Sequence, residues 1–166
     1  RGPSIPNLSW EEATAIYEVR ELLEVEAAGR CALLISPGQL AKLKQSLNAF
    51  EAAIKNNDSI SRVATAADFY TTILANCGNP ILEEIHSGLL ARISFFRGRS
   101  MSLSGRAHGS LEEMKDIYEA IAAGDEKAAR EASRLHITRA KAAAKLSMEG
   151  AKKDEPHWSE AKLRTE

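Results

Sequence analysis

The sequence predicts an all-α fold, an antiparallel bundle of six or seven helices. Apolar residues recur at three- and four-residue steps along most of the chain, which places them on one face of each helix. Breaker sequences such as Ser36-Pro37-Gly38 and Gly78-Asn79-Pro80 divide the chain into helix-length segments with short links. No segment alternates apolar and polar residues over the length of a strand. Helices joined by short links pack against each other in opposite directions, which gives the bundle.

Capping and stop signals set the expected helix boundaries. Ser9, with Glu12 three residues later, is a capping box that starts the first helix. Asp58 or Ser59 can cap the third helix. The segment from Gly98 to Gly109 is basic and serine-rich, and we expect it to be a connection. The four helices before this connection are expected to end at about Leu34, Asn56-Asn57, Gly78 and Phe96.

The stretch from Gly105 to His136 predicts a helical hairpin that turns at Gly124-Asp125. Gly124 suits a helix C-terminus, and Asp125 can cap the final helix, which should reach about Met148. Met114 lies ten residues before Gly124 and His136 twelve residues after it. At about 1.5 Å of rise per residue, both lie ~15–18 Å from the turn. We therefore expect Met114 and His136 to face each other at one level of the bundle.

Composition restricts the class of protein. The chain has 166 residues, enough for one domain with a sizeable core. Its net charge of −1 does not suggest a general nucleic-acid surface. No apolar run approaches the ~20 residues of a membrane helix, and no signal peptide opens the chain, so a cytoplasmic protein is expected. Cys31 and Cys77 form no CxxC pair, and reduced thiols are favoured over a disulfide.

Three regions are expected. Residues 1–8 hold two prolines and a glycine without apolar periodicity, which is typical of a linker or arm from a preceding domain. Residues 9–149 should form the helical domain. Residues 150–166 form a polar C-terminal tail.

Arg20 is the first candidate functional residue. It shares a helix face with the apolar Ile16 and Leu23, so its guanidinium is expected to be buried. A buried guanidinium needs an anionic partner. That partner is either an acidic side chain, in a structural ion pair, or the carboxylate of a ligand, which the planar guanidinium binds with two hydrogen bonds.

Tyr70, Met114 and His136 are the other candidates. His136 shares its face with small alanines that leave room beside an imidazole. A single core histidine is most often a hydrogen-bonded structural residue, and a core methionine fills irregular gaps. Tyr70 would bring a hydroxyl into the core. With Arg20, these three side chains could line one cavity that is mostly apolar and polar at a few points, as in many small-molecule sites.

Other polar residues give weaker signals. Four arginines surround the expected connection after the fourth helix, where a solvated basic loop is the plain interpretation, although one of them could close a pocket around an anion. They are Arg92, Arg97, Arg99 and Arg106. His86 and His108 lack a metal-ligand spacing. The sequence contains no GxSxG, P-loop, HExxH or GxGxxG motif, and we do not expect an enzyme.

Three motifs in order resemble a known family. They are YEVRELLEVEAAGRCA in the first helix, DFYTTILANCGNPIL across the third, and EEMKDIYEAIAAGDEKAAREASRLH in the final hairpin. Together, from about Tyr17 to His136, they are similar to the C-terminal effector-binding domain (FCD type) of GntR-family transcription regulators, FadR subfamily. The resemblance implies a homodimeric bundle that senses a small metabolite, often a carboxylic acid. It also implies an N-terminal winged-helix domain that binds operator DNA.

Many members of this family hold a divalent metal with an aspartate and three histidines. Matched on the shared motifs, these ligand positions are Ala66, Tyr70, Met114 and His136 in this sequence, and only His136 keeps a ligand. One imidazole cannot hold zinc or nickel, because such sites need three or four N, O or S donors. We therefore expect no metal cofactor.

The expected function is direct binding of a carboxylate effector without a metal. Arg20 would pair with the carboxylate, Tyr70 and His136 would give hydrogen bonds, and Met114 would contact an apolar part of the ligand. The alternative is a structural dimerisation domain whose core is filled by its own side chains. A closed core around His136 would favour this alternative.

Overall fold

The computed structural model describes residues 9–153, with side-chain surroundings up to Gly150. This part of the chain folds into six helices without strands, which confirms the predicted all-α bundle. The expectations for residues 1–8 and for the end of the tail lie outside the described residues. The helices are α1 (Trp10–Leu34), α2 (Pro37–Lys55), α3 (Ser59–Ala75), α4 (Pro80–Met101), α5 (Arg106–Ala122) and α6 (Glu126–Lys153).

Side-chain caps start α1, α3 and α6 where the sequence predicts them. The Ser9 hydroxyl accepts a hydrogen bond from the Glu12 backbone N–H at 3.2 Å. Asp58 caps α3 by accepting from the Ser61 N–H at 3.0 Å, and Asp125 caps α6 by accepting from the Ala128 N–H at 2.9 Å. These acceptors satisfy backbone donors that have no partner within the helix.

The predicted connection from Gly98 to Gly109 is wrong. Helix α4 continues to Met101 and α5 begins at Arg106, so only residues 102–105 join them. Part of the segment faces inward, because Ser100, Met101 and the preceding Arg97 are buried, whereas Ser102 and Ser104 are exposed. Helix α6 also continues past the expected end at Met148, to Lys153.

The core has two apolar clusters. The larger one joins α2, α3 and α5 to the second half of α1, and includes Phe50, Phe69 and Ile117. The smaller one joins the first half of α1 to α4 and α6, and includes Tyr17 and Phe96. Polar side chains of α1, α3, α4, α5 and α6 lie where the two clusters meet. The candidate site is built there.

Both cysteines are free thiols inside the larger cluster, as predicted. Cys31 on α1 and Cys77 after α3 are 0% exposed. Burial raises the pKa of the Cys31 thiol to about 12. No helix in the described part of the chain combines the length and the apolar character needed to cross a bilayer.

Substitution of two glycines by alanine should change the free energy of unfolding in opposite directions. Gly124, at the hairpin turn, has φ 69°, whereas Gly88 is exposed within α4 and has open space around its Cα. A Cβ in the left-handed region costs about 1–2 kcal/mol, so Gly124→Ala should lower the free energy of unfolding by about that much. Gly88→Ala should raise it by about 0.5–1 kcal/mol, because alanine favours helix. Urea denaturation measures both; changes of the same sign would contradict the assigned conformations.

Candidate functional site

The four residues singled out from the sequence line one buried cavity. Arg20 comes from α1, Tyr70 from α3, Met114 from α5 and His136 from α6. Each is 5% exposed or less. The remaining lining residues are Phe50, Ala66, Arg97, Ser100, Met101, Ser110 and Ala140. The free volume is about 10 Å³, room for a single water molecule, so the cavity is nearly closed.

Arg20 makes an ion pair inside its own helix. Its Nε and Nη2 donate to Oε1 and Oε2 of Glu24 at 2.9 and 3.0 Å, and both side chains are 1% exposed. The guanidinium also lies over the ring of Tyr17, with Cζ 5.1 Å from the ring centroid. Of the two accounts considered from the sequence, the structural ion pair therefore describes two of the three nitrogens of Arg20. The third, Nη1, is buried without a hydrogen-bond partner among the described residues.

Glu24 is shared with two residues of α4. His86 Nε2 lies 3.1 Å from Oε1, and Arg97 Nη2 lies 4.0 Å from the same oxygen. Burial alone would raise the pKa of Glu24, but the charge of Arg20 and the hydrogen bonds from His86 and Arg20 outweigh it. The pKa therefore lies well below its usual value, and Glu24 is a buried carboxylate that joins α1 to α4.

Arg97 is the least satisfied group in the described part of the chain. It is 5% exposed, and its Nε, Nη1 and Nη2 are buried without a hydrogen-bond partner among the described residues. Its Cζ lies 4.9 Å from the centroid of the Tyr70 ring, a cation–π distance. Burial, followed by the charge of Arg20, lowers the pKa of Arg97. Two buried guanidinium groups thus share the single carboxylate of Glu24, which leaves one positive charge uncompensated.

Further unsatisfied polar atoms line the same cavity. The Tyr70 hydroxyl, the Ser100 hydroxyl and Arg20 Nη1 are buried and have no hydrogen-bond partner within residues 9–150. Burial, and to a lesser extent the charge of Glu24, raises the pKa of Tyr70, so its hydroxyl keeps its proton and can donate. Together with Arg97, these groups offer hydrogen-bond donors around a surplus positive charge. Such an arrangement can bind an anion with acceptor oxygens.

His136 belongs to a second buried polar group. Its Nδ1 lies 2.8 Å from Oε2 of Glu113. Arg106 donates to both oxygens of Glu113, at 3.0 and 2.7 Å, and the half-exposed Arg139 donates at 3.4 Å. Burial alone would raise the pKa of Glu113, but the hydrogen bonds from His136 and Arg106 lower it. The His136 ring stacks on Tyr70, with centroids 5.5 Å apart, so Glu113 fixes the orientation of one wall of the cavity.

The imidazole of His136 is held neutral. Burial lowers its pKa, the charges of Arg20 and Arg106 lower it further, and the hydrogen bond and charge of Glu113 only partly offset this. The ionised Glu113 accepts the Nδ1 proton, so the other nitrogen, Nε2, carries a lone pair. His136 can therefore accept a hydrogen bond from a ligand but not donate one.

The side chains at the family's metal positions do not fit a metal. Ala66, Tyr70, Met114 and His136 line one cavity, as the match of motifs implies, yet they offer a methyl group, a protonated phenol, a thioether and one imidazole. No group of three or more histidine, cysteine, aspartate or glutamate side chains suited to a metal occurs among the described residues. This donor set falls short of the three or four ligands that zinc or nickel requires.

Sequence reasoning missed several residues of this site. Arg97 and Arg106 were expected in a solvated basic loop but are largely buried in α4 and α5. His86 was expected to be isolated but bonds to Glu24. The Arg20–Glu24 spacing of four residues was the one available signal, since it brings opposite charges together on a helix.

Removing the carboxylate of Glu24 should be severely destabilising. In Glu24→Gln two buried guanidinium groups lose their only full negative charge, and breaking a buried pair costs about 3–5 kcal/mol. The matched control is Glu21→Gln on the same helix. Glu21 pairs with Arg134 at 3.4 Å where both side chains are nearly half exposed, and such pairs contribute about 0–1 kcal/mol. Urea denaturation at pH 7 compares them; equal losses would contradict the central role of Glu24.

The stability of the fold should fall as the pH decreases below 6.5. The folded pKa of His136 lies below its unfolded value, so its contribution is present above pH 6.5 and is lost as the pH falls through the folded pKa. Carboxylates have lower pKa values than histidine, so a change in stability between pH 7.5 and 5.5 reports mainly on histidine. In His136→Asn the pH slope should be smaller, and in His108→Asn, at an exposed position, it should match wild type. A slope unchanged in His136→Asn would exclude this assignment.

Comparison with known proteins identifies the family. The FCD domain family matches residues 15–139. The fold is similar to Streptococcus agalactiae GntR, with 22% identity and a TM-score of 0.70 over 85% of this chain and 63% of that one. It is also similar to E. coli McbR/YncC, with 19% identity and a TM-score of 0.77 over 86% of this chain and 68% of that one. No match was found among curated proteins.

The two structural likenesses, at these identities, concern the fold. The chain spans less than two thirds of the Streptococcus GntR chain. The family match covers most of the chain, including all four residues that the sequence placed at the site, and confirms the resemblance stated from the motifs. The chain therefore belongs to the FCD domain family, the C-terminal effector-binding domain of GntR-family transcription regulators.

Proposed function

We propose that this domain binds a small carboxylate metabolite directly, without a metal, and that binding modulates operator DNA recognition by a winged-helix domain of the same regulator. One observation supports this most strongly. Arg97 carries an uncompensated buried charge, and it lines the same cavity as the unsatisfied Tyr70 hydroxyl, Ser100 hydroxyl and Arg20 Nη1. Buried charges are costly without a partner, and an incoming carboxylate supplies one.

The proposed role of each side chain follows from which of its donor or acceptor atoms have no hydrogen-bond partner among the described residues. Arg97 has all three nitrogens available and is the main clamp, whereas Arg20 offers only Nη1 because Glu24 holds the other two. Tyr70 and Ser100 donate from their hydroxyls. Met114 contacts the apolar part of the ligand. His136 accepts through Nε2, so it suits a hydroxyl group on the ligand rather than the carboxylate.

Effector binding acts through the difference in affinity between conformations. A ligand shifts the orientation of the DNA-binding domains only as far as it binds one arrangement of the bundle better than another. We propose that the domain works as a homodimer in the cytoplasm and has no catalytic role. Helix α4 is the natural element to move, because it carries Arg97 and Ser100 at the cavity and is tied to α1 through Glu24.

A structural dimerisation domain is the second candidate. The observation that favours it is the free volume of about 10 Å³, which holds no metabolite without rearrangement. Under this interpretation the cavity holds one water that bonds to the unsatisfied atoms. The two candidates differ in whether any organic acid stabilises the fold.

Thermal-shift screening of carboxylic acids separates these candidates. At a concentration 100 times its dissociation constant, a ligand stabilises the fold by about 2.7 kcal/mol, which raises the Tm of a domain of this size by about 5–10 °C. Arg97→Met should abolish the shift. The same substitution should leave the unliganded protein as stable as wild type or more stable, because it removes an uncompensated buried charge.

Arg92→Met is the matched control. Arg92 lies on the same helix, its side chain is 59% exposed, and it should leave the shift unchanged. Arg20→Ala should weaken binding but also destabilises the fold by freeing Glu24, so it is the less informative variant. The shift should persist in EDTA, and its loss there would contradict metal-free binding. If no acid stabilises the wild type, the structural candidate is supported.

A further inference from the structure

A groove opens on the surface beside the closed cavity. It lies between the first residues of α3 and the second half of α4, and its volume is about 560 Å³, within the range of small-molecule sites. Ile60 lies in it and is 82% exposed, although an isoleucine gains by burial. The lining is mostly apolar, with hydroxyls between: Ser59, Ile60, Arg62, Val63, Ala64, Ser94, Gly98, Met101 and Ser102.

Met101 is the wall between the groove and the cavity. It lines both spaces and is 7% exposed. At 100° per residue along α4, Met101 lies about 40° from Arg97, on the side of the groove residues Ser94 and Gly98. The cavity face and the groove face of α4 therefore adjoin at Met101. Its unbranched thioether side chain is the type that changes rotamer at low cost.

The two volumes are complementary for a ligand with a charged head and an apolar chain. The cavity has the unsatisfied donors, but its free volume holds only a single water molecule, so a carboxylate enters only when a wall side chain moves, and no apolar chain fits beside it. Its other apolar walls are closed, since Phe50, Ala66 and Met114 are 2% exposed or less. The groove has the space and the apolar surface, and its one charged lining residue is Arg62, whose Nε is buried without a hydrogen-bond partner among the described residues. The carboxylate of Asp58, the N-cap residue of α3, interacts with the charge of Arg62.

We propose that the effector is a monocarboxylic acid with an apolar chain. Its carboxylate enters the cavity at Arg97, its chain passes the side chain of Met101, and the end of the chain lies in the groove against Ile60, Val63 and Gly98. This inference rests on the proposed function, because it requires the carboxylate to bind at Arg97. It adds the class of acid and the second half of the binding site.

A homologous series of acids tests the inference on the full chain. Binding of acetate, butanoate, hexanoate and octanoate is measured by calorimetry, below micelle-forming concentrations. Affinity should rise roughly fourfold for each added methylene group that is buried, as expected for about 0.8 kcal/mol per CH₂. In Arg97→Met, affinity for every acid should be lost. Octanol, which lacks the carboxylate, should not bind.

Variants in the groove test whether the apolar chain of the acid binds there. A Cβ at Gly98 would lie 3.6 Å from Val63, an ordinary contact, so Gly98→Leu should fill the groove without disturbing the cavity. Octanoate should then bind no more tightly than butanoate. Gly88→Leu on the exposed face of α4 is the matched control and should behave as wild type. If Gly98→Leu folds poorly, Ile60→Ser replaces it, with Ile85→Ser, outside the groove, as its control.

Each outcome is decisive. A steep series in wild type that becomes flat in Gly98→Leu supports the inference. An affinity that depends on Arg97 but not on chain length overturns the inference and leaves the proposed function intact. An equally steep series in Gly98→Leu and Ile60→Ser shows that the chain lies elsewhere. Tighter binding of octanedioate through Arg62 overturns the assignment to a monocarboxylate. If no acid binds, the proposed function fails, and this inference fails with it.

Discussion

The structure depends on one buried carboxylate. Glu24 accepts two hydrogen bonds from Arg20 on its own helix and faces His86 and Arg97 from α4. Without it, α1 and α4 would bring together two guanidinium groups that have no other ion-pair partner among the described residues. The negative charge of Glu24 allows the polar centre of the bundle to fold. Because it balances only one of the two guanidinium groups, the centre keeps one surplus positive charge.

This surplus distinguishes the polar centre from the rest of the core. Native proteins leave few buried polar atoms unsatisfied, and here several of them line a single cavity. The second polar group, around Glu113, has more of its hydrogen bonds made, and its one buried atom without a partner among the described residues is Arg106 Nε. Its carboxylate receives hydrogen bonds from Arg106, Arg139 and His136, and it holds the imidazole against Tyr70. Glu113 therefore orients one wall of the cavity, whereas several donors near Glu24 have no acceptor among the described residues.

Local signals in the sequence account for the fold and for half of the site. Caps at Ser9, Asp58 and Asp125 satisfy backbone groups within a few residues, so helix starts could be predicted from neighbouring residues. Helical periodicity also placed Arg20 and His136 inside the bundle.

The rest of the site depends on contacts between distant segments. Arg97 lies in a segment whose composition is typical of a loop, and the acidic residue nearest to its guanidinium, Glu24, is 73 positions earlier in the chain. The same holds for His86, which is 62 residues from Glu24, and for Glu113, which is 23 residues from His136. A periodic pattern predicts that a side chain points inward, but it does not predict which charged residue of another helix will pack beside it. For this reason the end of α4 was misassigned.

The burial of the two thiols affects how the domain is oxidised and how its opening can be measured. With a pKa near 12, only about one in 10⁵ Cys31 side chains is a thiolate at neutral pH, and the thiolate is the reactive form. Because both cysteines are 0% exposed, alkylation and oxidation of either sulfur must wait until the helices around it separate. The rate at which a thiol reagent labels the two sulfurs therefore reports how often the bundle opens, and no added reporter group is needed.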